Sequence, residues 1–131
     1  HIADATADEI KRLGLHKVGL MGTPFTMGQD FYKGRLRDKH GIEVIVPQES
    51  EWNEIYRVIQ EELTFGILKD ESRKYFLSVI EELCSRGAVG VILGCTEIPM
   101  LIKQTDTDLP VLDTTALHAL AAVRLAEELD K

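Results

Sequence analysis

One of the two cysteines of the chain lies where an apolar strand is expected to end. Cys95 follows the apolar run 88–93 after one glycine, and Thr96 and Glu97 come directly after it. A thiolate can act as a nucleophile or a general base, and a thiol as a general acid, so this segment suits proton transfer or acyl chemistry. A helix that starts after the thiol would lower its pKa. The alternative is a small, buried apolar side chain, which is the commonest role of a free cysteine.

The residues near Cys95 suit structural as well as functional roles. Thr96 either caps the next helix or, with free backbone N–H groups, holds a carboxylate. Glu97 is either a favourable charge in the first turn of that helix or the group that orients the thiol. Thr23 and Thr26 flank a proline after an earlier strand and are either turn hydroxyls or ligand contacts.

Other candidate groups are assigned to structure rather than chemistry. Cys84 falls on the apolar stripe of a predicted helix, so we expect it in the core. His118 lies in an otherwise apolar helix and is expected to be packed rather than catalytic. The four histidines have neither H-x-x-H nor H-E-x-x-H spacing, so the sequence predicts no metal site. Neither G-x-G-x-x-G nor a P-loop lysine is present to support nucleotide binding.

Four short apolar runs alternate with helical patterns. This alternation predicts an α/β fold, a four-stranded parallel sheet with helices on both faces in a flavodoxin-like lobe. The predicted strands are 17–21, 42–46, 88–93 and 109–112, with a loop at 22–26 and helices at 3–13, 27–39, from 50 to 63, from 70 to 86, 97–103 and 115–129.

Ligands of such sheets bind beyond the carboxyl ends of the strands. Most side chains at the carboxyl ends of the predicted strands carry hydroxyl groups, one carries a thiol and two carry carboxylates. These loops contain no lysine or arginine. The residues at these ends are Thr23 and Thr26, then Gln48 and Ser50, then Cys95, Thr96 and Glu97, then Asp113, Thr114 and Thr115.

The composition excludes several classes of partner. With 131 residues, 44% hydrophobic residues and a net charge of -7, the chain fits one acidic globular domain. The charge argues against nucleic acid and against an anionic membrane surface. Two cysteines do not form a disulfide framework, and a cytoplasmic location is expected.

The segment Gly94-Cys95-Thr96-Glu97-Ile98, with 22–27 and 30–32, resembles the aspartate/glutamate racemase family of cofactor-independent amino-acid racemases. The similarity extends over 87–92, 112–115 and His118. Glutamate racemases proper have histidine where this chain has Glu97, so the resemblance points to the aspartate racemase branch or to broad-specificity relatives.

The resemblance implies a two-base racemisation without cofactor, in which Cys95 is one acid/base and Glu97 its catalytic neighbour. It implies that the substrate, an amino acid or dicarboxylate, is bound by Thr96, Thr23 and Thr26. Lys69 matches a lysine that meets a side-chain carboxylate in some members, or is simply a solvated lysine ahead of a helix.

The resemblance also implies that residues 1–131 form the C-terminal lobe of a two-lobe enzyme. The terminal helix, 115–131, would then pack on the N-terminal lobe, and the chain alone would not racemise amino acids. Pairing with a second copy stays open. Two rival functions remain at this point: decarboxylation or cis–trans isomerisation of small dicarboxylates, and a non-enzymatic binding module with Cys95 as packing.

Overall fold

A computed structural model describes residues 2–129 of the chain. Its four parallel strands form one sheet in the order β2-β1-β3-β4. The strands are β1 (Lys17–Met21), β2 (Glu43–Ile45), β3 (Val91–Leu93) and β4 (Val111–Asp113). This order is that of flavodoxin-like sheets, and the predicted fold class is confirmed.

Seven α-helices and two short 3₁₀ helices accompany the sheet within residues 2–129. The α-helices are α1 (Ile2–Arg12), α2 (Pro24–Gly28), α3 (Asp30–His40), α4 (Glu49–Glu61), α5 (Asp70–Ser85), α6 (Ile98–Leu101) and α7 (Thr114–Leu129), and the 3₁₀ helices span Leu63–Phe65 and Gln104–Asp106.

The core consists of two apolar clusters, one on each face of the sheet. β3 contributes Val91 and Leu93 to the cluster that includes α4, α5 and α6, and Ile92 to the cluster that includes α1 and α3. Successive side chains of a strand point to opposite faces, so one apolar run serves both clusters. The continuous run of apolar residues is therefore explained by burial on both faces.

The segment after β1 is divided differently from the prediction. The predicted loop 22–26 and helix 27–39 are replaced by α2, which begins at Pro24, and by α3, with Gln29 in an extended conformation between them. Proline suits the first position of a helix, because the N–H that it lacks would have no partner there. Pro24 therefore starts a helix where the sequence prediction placed a loop.

One side chain that was predicted in the core is exposed. Cys84 is exposed, whereas its neighbour Leu83 is buried and lies against β1: a Cβ added to Gly19 would come within 2.8 Å of Leu83 Cδ1. One residue along a helix turns the side chain by about 100°, which carries Cys84 away from that contact.

The last helix, α7, packs mainly through its beginning. Thr114 is buried and Leu117 contacts the cluster formed with α1 and α3. His118 is exposed, so the prediction that it is packed was wrong. Four large apolar side chains of α7 are also exposed, Leu120, Val123, Leu125 and Leu129. Among the described residues, no helix has the length and apolar character needed to cross a membrane.

Candidate active site

The candidate site lies where the strand order reverses, between β1 and β3. These two strands are adjacent, and Met21 pairs with Leu93 at their ends. The chain leaves β1 toward Thr23 and α2, and it leaves β3 toward Cys95 and α6. In open parallel sheets such a reversal opens a crevice beyond the carboxyl ends of the strands, where ligands bind.

Two glycines bring the two loops into contact around Thr26. The Gly94 N–H donates a hydrogen bond of 2.7 Å to the carbonyl oxygen of Met21. A Cβ added to Gly94 would lie 3.1 Å from that oxygen and 3.2 Å from Thr26 Cγ2, and one added to Gly22 would lie 3.2 Å from Thr26 Cβ. Thr26 therefore lies against the loop that leads to Cys95 as well as against its own.

Thr23 and Thr26, both predicted to bind substrate, form a pair at this edge. Thr23 caps α2: its Oγ1 accepts a hydrogen bond of 3.3 Å from the Thr26 N–H. The two hydroxyl oxygens are also 3.3 Å apart. The two hydroxyls thus have the structural role of turn hydroxyls that was considered for them. Both side chains are only partly buried.

Cys95 is half-buried and packs against the cluster that includes Ile98 and Leu101. Burial raises the pKa of its thiol to about 11, although the backbone N–H groups of Ile98 and Glu97 act in the opposite direction. The Glu97 carboxylate adds to the rise in pKa. The N–H groups at the helix start therefore lower the pKa of Cys95 as expected, but removal from water outweighs them and the net pKa is raised. Cys95 is a protonated thiol at neutral pH.

Thr96 and Glu97 follow at the start of α6. This helix begins at Ile98 with Glu97 as its N-terminal cap, so of the two roles considered for Thr96 the capping role does not apply. The Glu97 side chain makes no capping hydrogen bond. Thr96 is exposed and Glu97 is half-buried, which leaves the hydroxyl of Thr96 accessible at the sheet edge.

Lys69 lies at the same edge as α6. It is exposed and directly precedes α5. In the first turn of α5, the Arg73 guanidinium donates a hydrogen bond of 3.1 Å to the Leu101 carbonyl at the end of α6. Both interpretations of Lys69, substrate contact and solvated lysine, are compatible with this position.

The ends of β2 and β4 differ from the prediction. β2 ends with Ile45 opposite Gly19, before β1 ends, so the chain leaves the sheet early. Gln48 lines a cavity of about 140 Å³ with Tyr75 and Glu82. The Asp113 carboxylate caps α7, because its Oδ1 accepts hydrogen bonds from the N–H groups of the first turn of this helix.

Sequence reasoning missed the roles of Gly94 and Thr114. Thr114 Oγ1 donates a hydrogen bond of 3.2 Å to the carbonyl of Leu93, next to the site. Its only sequence signal was its place after a strand. Within residues 2–129 no group of three or more metal-binding side chains comes together. An open cavity of about 530 Å³, lined by residues including Arg12, Pro110 and Leu117, lies beside β4 and not at Cys95.

The family of this chain follows from comparison with known proteins. Residues 1–122 match the family model of the Asp/Glu/hydantoin racemases. The chain belongs to this family. Hence the resemblance carried by the segment around Cys95 is confirmed at the level of the family.

Solved structures of racemase-family proteins superpose closely on this member. A Yersinia pestis protein proposed to be an Asp/Glu racemase is 51% identical with a TM-score of 0.91, and an aspartate racemase homologue from Pyrococcus horikoshii OT3 is 45% identical with a TM-score of 0.90. Each match covers 96% of this chain and 55% of the other. The aspartate racemase of Picrophilus torridus is 26% identical with a TM-score of 0.67, over 92% of this chain and 49% of its own.

A curated relative matches as well. An uncharacterised protein encoded in the pnlA 3′ region of Pectobacterium carotovorum subsp. carotovorum is 28% identical over 104 residues, which are 79% of this chain and 67% of that protein. This racemase-family chain thus spans about half the length of the solved structures that it matches.

Proposed function

We propose that this chain is one α/β lobe of a cofactor-independent amino-acid racemase of the aspartate/glutamate type, and that Cys95 transfers the proton at the α-carbon. The observation that carries the proposal is the half-buried thiol at the β1–β3 reversal, next to the N–H groups of Glu97 and Ile98. Membership of the racemase family supports the reaction class.

The protonation state of Cys95 fits the role of general acid. Because the pKa of its thiol is about 11, Cys95 holds its proton at neutral pH and can donate it to a carbanion. To act as base in the reverse direction, the thiolate must be stabilised further. A substrate ammonium group next to Cys95 would lower its pKa, and the two N–H groups already favour the thiolate.

The substrate carboxylates meet hydroxyl and cationic groups in this proposal. The exposed Thr96 hydroxyl binds the α-carboxylate, with the pair Thr23 and Thr26 across the crevice. Lys69, at the same edge, meets the side-chain carboxylate of aspartate or glutamate. Glu97 acts on Cys95, since its charge raises the pKa of the thiol, and it thereby keeps the proton available for donation.

The second acid/base belongs to a second lobe. Racemisation by two bases needs groups on opposite faces of the α-carbon, and Cys95 supplies one face only. The solved relatives are about twice as long as this chain, which leaves about half of their length for another lobe. We propose that residues 1–131 are the C-terminal lobe and that the terminal segment 115–131, whose last two residues lie outside the described ones, packs on the other lobe through the exposed apolar side chains of α7.

Exchange of the α-hydrogen of aspartate or glutamate for deuterium tests the proposed chemistry. In a two-lobe protein that contains this chain, we expect exchange in D₂O that Cys95→Ser abolishes. Cys84→Ser is the matched control, because Cys84 is the other free cysteine and is exposed on α5. Exchange that survives Cys95→Ser would overturn the role of Cys95.

The 131-residue chain alone gives a second test. We expect no racemisation by it, because an α-proton is removed only by a tuned base in a site that excludes water. Conversion of aspartate by the chain alone, lost in Cys95→Ser, would contradict the two-lobe proposal. Turnover of malonates or maleate without α-hydrogen exchange would favour the dicarboxylate chemistry instead.

A further inference from the structure

Thr114 lies directly behind the strand end that carries Cys95. It is the first residue of α7 and it is buried. Its hydroxyl donates a hydrogen bond of 3.2 Å to the carbonyl of Leu93, the last residue of β3. Only Gly94 separates Leu93 from Cys95 in the chain. Thr114 therefore connects the start of α7 with the backbone from which the thiol projects.

The Leu93–Gly94 peptide unit is held from both sides. Its carbonyl accepts the hydrogen bond from Thr114, and its N–H donates the 2.7 Å hydrogen bond to the Met21 carbonyl on β1. A peptide unit is planar and rigid, so two partners on opposite sides fix its orientation. The direction in which the chain continues to Cys95 is set by this peptide.

Thr114 is itself fixed by its neighbours. Asp113 pairs with Leu93 in the sheet, and its Oδ1 accepts hydrogen bonds of 3.0 and 3.2 Å from the N–H groups of Thr115 and Ala116. Hydrogen bonds thus hold in place both the strand before Thr114 and the first turn of the helix after it. Because Thr114 has little freedom to move, its hydroxyl is a rigid anchor for the Leu93 carbonyl.

We propose that Thr114 is a positioning residue for Cys95, and that its hydroxyl keeps the thiol half-buried by holding the Leu93–Gly94 peptide from the side of α7. This inference rests on the proposed function for the chemical role of Cys95. The exposure of the Cys95 thiol then depends on the start of α7 through one hydrogen bond, from the Thr114 hydroxyl to the Leu93 carbonyl. A displacement of α7 therefore changes the reactivity of Cys95.

Alkylation of Cys95 by iodoacetamide tests the inference without any turnover. The test uses the 131-residue chain with Cys84→Ser as background, so that Cys95 is the only thiol. Thr114→Val removes the hydroxyl and keeps the shape of the side chain. We expect it to raise the alkylation rate about three- to tenfold at about pH 9 and to shift the rate–pH profile to lower pH, since the thiol becomes more hydrated. Thr114→Ser, which keeps the hydroxyl, restores the rate and profile of the parent.

Thr6→Val is the matched control. Thr6 is also a buried threonine, and its hydroxyl accepts a 2.6 Å hydrogen bond from Tyr32 between α1 and α3, away from Cys95. A Thr114→Val rate equal to that of the parent overturns the inference. Equal acceleration by Thr6→Val also overturns it, because general loosening would then explain the result. If Thr114→Val does not fold, Thr114→Ala is measured in its place with the same two criteria.

These outcomes are independent of the proposed reaction. Loss of α-hydrogen exchange tests the chemistry of Cys95, whereas the alkylation rates test only how Thr114 positions the thiol. If the exchange experiment contradicts the role of Cys95, the alkylation result can still be interpreted, and the reverse also holds.

Discussion

The chemistry of Cys95 is governed by opposing effects at one atom. Burial raises the pKa of the thiol to about 11, and two backbone N–H groups oppose that rise. The Glu97 carboxylate adds to it because a nearby negative charge disfavours the thiolate. Glu97 is therefore the residue through which a substitution changes the acidity of Cys95 with the least change in packing.

Glu97→Gln is expected to lower the pKa of Cys95 and to speed its alkylation. Removal of the negative charge stabilises the thiolate, so we expect iodoacetamide to react about two- to fivefold faster at about pH 9. Because the pKa of the thiol is raised, the parent rate should keep increasing with pH until about pH 11. Glu81→Gln, on the exposed face of α5, is the control. An unchanged Glu97→Gln profile would contradict the role given to the carboxylate.

At the scale of the elements, the site depends on how closely the ends of β1 and β3 approach. Gly94 permits this approach, because the Met21 carbonyl and Thr26 occupy the space that a Cβ would need. The start of α7 reaches the same peptide through Thr114. Three elements therefore meet at the residue before Cys95, and none of these contacts involves a charged side chain.

Gly94→Ala is expected to separate the two strand ends. The added methyl group would overpack this region and lower the free energy of unfolding by about 1–3 kcal/mol, measured by urea denaturation. We expect faster alkylation of Cys95 as well. Gly90→Ala is the matched control, because its Cβ would lie 2.8 Å from Leu15 Cδ1 at the other end of β3. It should lower stability without changing the alkylation rate, and equal effects of both variants on that rate would contradict this account.

The N-terminal cap of α7 gives a second prediction at this scale. Asp113→Ala leaves two N–H groups of the first turn without their acceptor, so we expect a loss of about 1 kcal/mol in the free energy of unfolding. Asp113→Asn keeps a side-chain oxygen and should lose less than half of that. Equal losses in the two variants would show that the charge of Asp113, rather than its capping oxygen, is what stabilises α7.

At the scale of the whole molecule, a charged cluster joins the first and third helices. Asp4 of α1 accepts two hydrogen bonds of 3.1 Å from the Arg35 guanidinium and pairs with His40 Nε2 at 2.8 Å, both on α3. These partners, Arg35 first, hold the pKa of the Asp4 carboxyl well below its ordinary value of 3.8. The cluster connects α1 and α3, which lie on the same face of the sheet.

Asp4→Asn is expected to destabilise the protein near neutral pH and to matter less in acid. Because the folded-state pKa of Asp4 is depressed, its contribution is present above the unfolded value and is lost as the pH falls below it. The difference in unfolding free energy between parent and variant should therefore shrink below about pH 4. Asp8→Asn, an exposed position on the same helix, is the control. A difference that stays constant with pH would contradict this prediction.

The fold class and the family can both be predicted from the residues alone. Four apolar runs alternating with helical patterns are enough to predict a doubly covered parallel sheet, because burial on both faces requires continuous apolar strands. The segment Gly94-Cys95-Thr96-Glu97 identified the family, because its residue types and order are local properties of the chain. The strand-end rule also predicts that Thr23, Thr26 and Cys95 lie at one edge of the sheet.

Which of these residues are close together, and how acidic the thiol is, depend on how the helices and strands pack. The pKa of Cys95 depends on how much water reaches it, and this depends on helices that are distant in sequence. The point at which β2 leaves the sheet, with Ile45 opposite Gly19, depends on strand pairing. The exposure of Cys84 depends on which side chain of α5 faces β1. Burial and proximity are properties of the packed molecule, so the periodicity of the sequence could not fix them.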